Sequence, residues 1–121
     1  MVKRTGPTNP IVWELIRELR KVSIENNVKI WKAVAEKLEK PRRQKIAVNL
    51  SKIDRYVKDG EIALVPGKVL SCGNIRSGVT IAALRFSKKA LEKIEKAGAR
   101  AISIRDLMTT NPKGSNVRII C

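Results

Sequence analysis

A chain of 121 residues with 26 Lys+Arg against 11 Asp+Glu carries a formal charge of +15, and it has no histidine. The length suits one domain around one core, the 43% hydrophobic content excludes general disorder, and the missing histidine removes the commonest general base from any enzymatic reading. The charge is also segregated: Lys40 to Ile53, Ile62 to Leu91 and Leu107 to Cys121 hold basic residues and no carboxylate, a self-repulsion that calls for a polyanionic partner.

In chain order, Asn9-Pro10 is a helix-start signal, and Val12, Leu15, Ile16, Leu19 and Val22 mark one helical face. After Asn26-Asn27, the spacing of Ile30, Trp31, Val34, Ala35 and Leu38 predicts a second helix, ended by Pro41. Glu25/Lys29, Lys32/Glu36 and Glu36/Lys40 add i,i+4 charge pairs. Lys45 to Leu50 alternates as a half-buried strand, with Ile46, Val48 and Leu50 on one side. Ser51 with Asp54 reads as a capping box opening a helix to about Val57, closed by Asp59-Gly60.

Ile62 to Val65 and Lys68 to Ser71 read as two short extended segments around a Pro66-Gly67 turn, and a turn-rich loop from Gly73 to Gly78 leads to a strand over Val79 to Phe86. Ser87 caps the next helix, with Leu91 and Ile94 toward the core and Gly98 as its stop. A strand at Ala101 to Ile104, a helical turn near Asp106 to Met108, the turn Asn111 to Ser115 and the segment Val117 to Ile120 complete the chain. The expected fold is mixed α/β: a compact single domain over residues 1–121, with N-terminal helices followed by short alternating strands and helices, and with basic, flexible N-terminal and C-terminal ends.

Catalytic chemistry is sought and not found. Cys72 and Cys121 cannot supply four zinc ligands without histidine, and Cys72 is expected as a small core residue. Asp54 and Glu61 are isolated carboxylates, read as a helix cap and a surface charge. Pro66-Gly67-Lys68 lacks the first glycine of a phosphate loop, a position held by Ile62. No signal peptide or membrane-spanning run is present, so the expected compartment is the cytosol. No enzyme, cofactor or metal is expected.

Binding is the better reading of the cations. Lys40-Pro41-Arg42-Arg43-Gln44-Lys45 is a proline-stiffened basic turn in which two arginines can grip phosphate bidentately, and the amides at the helix start after Ser51 add an anion site. Arg76, between Gly73 and Gly78, is a second candidate; Lys113 and Arg118, with Lys3 and Arg4 at the other end of the chain, form a third. The plain alternative for each is a solvated face. The helix carrying Lys88, Lys89, Lys93 and Lys96 is diluted by Glu92 and Glu95 and reads as structural. Only Trp13, Trp31, Tyr56 and Phe86 are aromatic, which disfavours a stacking reader of single strands; both tryptophans are expected in the core. Structured RNA held through phosphates and shape fits better.

The stretches Lys40 to Ile53, Lys68 to Gly73 and Val79 to Ser87 resemble the eighteen-e protein family of archaeal and eukaryotic large ribosomal subunits, and the resemblance covers nearly the whole chain. Lys96-Ala97-Gly98 at a helix end and Asn111 to Ile120 resemble its archaeal members. The resemblance implies a non-enzymatic ribosomal protein in the cytoplasm, bound to large-subunit rRNA beside neighbouring ribosomal proteins, with a fold similar to bacterial large-subunit ribosomal protein fifteen. It implies no cofactor, membrane or small-molecule substrate. It also makes Lys40 to Lys45 the main RNA contact, with Lys52, Arg76 and the Lys113 to Arg118 tail in support. On charge alone, a non-specific duplex DNA-binding protein of the chromatin type stays open as the alternative, and an RNA-processing enzyme is disfavoured.

Overall fold

The apolar spacings near the start of the chain become two helices in the computed structural model, which describes residues 10–39, 47–58 and 60–120. Helix α1 (Pro10–Asn26) buries Val12, Leu15, Ile16 and Leu19, and α2 (Ile30–Leu38) buries Trp31, Val34, Ala35 and Leu38. Between them Asn27 takes a left-handed φ of 53°, and the Ser23 hydroxyl donates to the Val28 carbonyl, so the turn satisfies its own polar groups. The expected cap Asn9 and the stop Pro41 lie outside the described residues. Trp13 is 38% exposed, which corrects its expected core role. It lies one position past Val12, off the buried stripe.

The remaining described elements are β1 (Ala47–Asn49), α3 (Leu50–Tyr56), β2 (Ile62–Leu70), β3 (Thr80–Phe86), α4 (Lys88–Ala97), β4 (Arg100–Ser103), α5 (Ile104–Thr110) and β5 (Val117–Ile119). All five strands are parallel, in the order β1-β2-β3-β4, with β5 also on β2. One core cluster joins α3 and α4 to Ala63, Val65, Val69, Ile81 and Ala83; the other joins α1, α2 and α5 to Leu64 and Ala82. Alternate residues of the central strands thus point into opposite cores, which is why Ile62 to Val65 is continuously apolar. The mixed α/β expectation is met by a three-layer arrangement.

Pro66-Gly67 is not a turn. Both residues are buried within β2, which runs unbroken while its register with β3 shifts between Val65↔Ala83 and Lys68↔Arg85. Two β2 residues face Leu84 there, a bulge. On its other edge β2 pairs β5 through Ile62 to Leu64 and β1 through Lys68 to Leu70. Pro66 therefore sits in the gap between two end-to-end partners, where its missing N–H breaks no ladder bond on that side.

Three further local expectations are corrected. Helix α3 starts at Leu50 with Asn49 as its N-cap, so Ser51 lies inside the helix and caps nothing; its N–H donates to the Cys72 carbonyl at 3.0 Å, so that amide is not available to an anion. Leu91 is 44% exposed, because Ala90 and Ile94 take the core face of α4 and Leu91 is one step around the helix. Cys72 is an exposed free thiol rather than a core residue. Ser87 does cap α4, accepting from the Ala90 N–H at 3.1 Å, and Gly98 ends it at φ 77°. Ser103 caps α5 in the same way through Asp106 N–H at 3.0 Å.

Candidate nucleic-acid interface

The cations divide into those tied to the fold and those that are not. Arg20 donates to Glu39 and holds α1 to the end of α2, and Arg105 to Glu18 at 2.9 Å holds α5 to α1. Half-exposed pairs of this kind contribute about 0–1 kcal/mol each. Their value here is positional, because each joins elements distant in sequence.

Arg76 belongs to the tied group. Its Nε and its backbone N–H both donate to Asp54 Oδ1, at 2.9 and 3.1 Å, and its guanidinium also donates to the Val57 carbonyl. It clamps the 73–78 loop onto the last turn of α3, satisfying carbonyls that a helix end leaves unpaired. Asp54, expected as a cap, is the acid half of this clamp.

Arg118 lies in β5 and donates through Nε to Glu61 at 3.1 Å; Glu61 also accepts from the Lys58 N–H at 2.8 Å. The Arg118 hydrogen bond, followed by the Lys58 backbone bond, holds the Glu61 carboxyl below the usual carboxylate range, against a small opposing effect of burial. A lowered folded-state value means the carboxylate stabilises the fold above its unfolded value, near 4.5, and that this stabilisation is lost as pH falls through the folded one. Glu61→Gln should therefore lose less stability than the parent between about pH 5 and pH 3 in urea titrations. Parallel acid limbs would show that the pair is not coupled to folding.

Lys52 and Lys113 are exposed. Lys52 stands on α3, whereas Lys113 is in the 111–115 loop, which packs on α2 through the Trp31 indole N–H bond to the Pro112 carbonyl at 2.7 Å. The two lysines thus sit on opposite layers, so the supporting candidates do not form one patch. Lys3, Arg4, Lys40, Arg42, Arg43 and Lys45 lie outside the described residues.

Three cations that motif reading does not single out are Arg55, Lys68 and Arg85, none with a hydrogen bond or ion pair among the described residues. Lys68 and Arg85 face each other in register on β2 and β3, a like-charge juxtaposition that costs stability unless an anion intervenes. The acid-free stretch Ile62 to Leu91 is the sequence signal for these two. Ala47, on β1, continues the same row beside Lys68. Next to it, a cleft of about 240 Å³ is lined by Ala47, Val48, Asn49, Ser51, Lys52, Arg55 and Tyr56. No group of residues suited to holding a metal occurs among the described residues, and no helix among them is long and apolar enough to cross a membrane.

Fold and surface define a class first: a small three-layer α/β protein whose surface cations outnumber the carboxylates that could neutralise them. The chain belongs to the family described as ribosomal protein 60S L18 and 50S L18e, which it matches over residues 3–121. It is 49% identical over 120 residues to the large ribosomal subunit protein eL18 of Methanospirillum hungatei, covering 99% of each chain. The eL18 protein of Methanococcus maripaludis is 46% identical over 119 residues, with 98% and 99% covered, and that of Methanopyrus kandleri 47% over 121 residues, with 96% and 95% covered.

Proposed function

We propose that this protein is a structural constituent of the archaeal large ribosomal subunit that binds folded rRNA through phosphate contacts and stabilises its packing, in the cytoplasm and beside neighbouring ribosomal proteins. The family is a ribosomal, non-enzymatic one, and the near-complete length match to its members is the observation that carries this reading. The physical support is the surplus of cations. Arg76 and Arg118 already have carboxylate partners, whereas Arg55, Lys68 and Arg85 have none among the described residues. Lys3, Arg4, Lys40, Arg42, Arg43, Lys45, Lys52 and Lys113 supply further phosphate contacts. Arg118 contributes through guanidinium N–H groups beyond the one that Glu61 accepts, since a guanidinium has five donors, and Arg76 adds its positive charge beside the 73–78 loop. The whole of 1–121 acts as one domain, with Lys3 and Arg4 adding phosphate contacts from one end and Lys113 and Arg118 from the other.

Co-sedimentation of tagged protein on a sucrose gradient tests this reading. Stoichiometric retention on the large subunit through a high-salt wash is expected, and migration with free or DNA-bound fractions would overturn it. Within the complex, Arg42→Ala with Arg43→Ala should weaken rRNA binding and lower the log–log salt slope by about 0.7–0.9 for each phosphate no longer neutralised. An unchanged slope would remove this pair from the interface.

A further inference from the structure

The cleft between β1 and α3 has a composition that phosphate binding alone does not explain. Tyr56 lines it and is 49% exposed, on a surface whose other α3 residues at the cleft are Ser51, Lys52 and Arg55. An exposed ring and two cations in one cleft lining, with no carboxylate among the lining residues, bring together an apolar face for stacking and positive charge for phosphate. Asn49 adds a third element. It occupies the N-cap position of α3, where its residue type normally bonds the helix amides, yet its side chain makes no capping bond and has no other partner among the described residues. Asn49 is instead one of the residues lining the cleft. The volume of about 240 Å³ lies below the range of roughly 300 Å³ upward that holds small-molecule ligands, so the space suits a single planar base rather than a cofactor.

We propose that this cleft receives one unpaired nucleotide of the RNA partner, its base stacked on Tyr56 and read at its edge by the Asn49 carboxamide, with Lys52 and Arg55 on the flanking phosphates. The inference rests on the rRNA-binding reading and adds to it a contact of a different kind. Phosphate contacts position an RNA without reading it, whereas a base splayed onto an aromatic ring with an amide at its edge carries sequence information. The cleft is also lined by Ala47, which follows the basic segment 40–45 by two positions in the sequence.

The two contributions separate by salt dependence, because stacking releases no counterions. The full chain is bound to in vitro transcribed archaeal large-subunit rRNA containing 4-thiouridine, over a salt series and with photo-crosslink mapping. Tyr56→Ala should weaken binding about five- to a hundred-fold with the salt slope unchanged, Tyr56→Phe should bind as the parent does, and Lys52→Ala should lower the slope by about 0.7–0.9. A crosslink within residues 47–56 is expected. Because Tyr56 is half exposed, its truncation leaves the core intact, and circular dichroism checks this. Parent-like binding by Tyr56→Ala, or no crosslink in 47–56 while rRNA is bound, would overturn the cleft assignment and leave the rRNA reading standing. Crosslinking of this segment to a neighbouring protein in reconstituted subunits would overturn it in favour of a protein partner. Failure of the parent chain to bind the rRNA would overturn both.

Discussion

Trp31→Ala should bring the protein to the edge of unfolding. The indole is fully buried in the core shared by α1, α2 and α5, and its N–H donates to the Pro112 carbonyl at 2.7 Å, so one side chain joins α2 to the loop before β5. Truncating a buried tryptophan costs about 3–5 kcal/mol through lost transfer energy and the cavity left behind. Domains of this size have a total margin of about 5–15 kcal/mol. Trp31→Phe fills most of the space and forfeits mainly the hydrogen bond, so about 1–2 kcal/mol is expected. Urea unfolding followed by circular dichroism measures both, and Trp13, half exposed on α1, remains as a fluorescent reporter in each variant. A loss under about 1 kcal/mol in the alanine variant would mean that α2 is anchored elsewhere.

Gly73→Ala is the second large effect. A Cβ on Gly73 would stand 2.5 Å from Ser51 Cβ and 2.8 Å from the Ser51 backbone nitrogen, at a φ of 93° that side chains resist. Neither partner has room to yield. Ser51 N–H is bonded to the Cys72 carbonyl at 3.0 Å, and the Lys93 ammonium holds the Ser71 and Gly73 carbonyls at 2.8 and 3.0 Å. The conformational penalty of about 1–2 kcal/mol is therefore joined by a backbone clash, for an expected total of about 2–4 kcal/mol. Gly78→Ala is the control, since Gly78 has a similar φ of 81° but no atom within 4 Å of its added Cβ. Thermal melts should show Gly73→Ala the more destabilised; equal melting temperatures would leave the approach to Ser51 without energetic weight.

Elements made by neighbours in sequence are legible in it. Leu15, Leu19, Trp31 and Val34 announce their helix faces by spacing, and Ser87 and Gly98 bracket α4 because capping is a local event. What depends on a distant partner is hidden. Pro66-Gly67 looks like a turn until Leu84 on β3 makes it a bulge. Arg76 and Arg118 look like available cations, although Asp54 and Glu61 neutralise them from 22 and 57 positions away. Conversely, Lys68 and Arg85 register only as charge until the sheet puts them side by side. Tyr56 is one of too few rings to suggest stacking, since its exposure follows from which face of α3 packs on the sheet.

The position of β5 has a consequence for the order in which the chain becomes a protein. The edge of β2 at Ile62 is closed by Val117, 55 positions later, and Ile120 N–H completes the seal on the Leu64 carbonyl at 2.9 Å. A polypeptide emerging at about 5–20 residues per second exposes that edge for roughly 3–11 s before its partner strand has been made. During this interval the central strand is a template for any extended segment nearby. Strand β5 is thus the protection of β2 against mispairing, and this edge of the sheet is closed only once residues 117–120 have been synthesised.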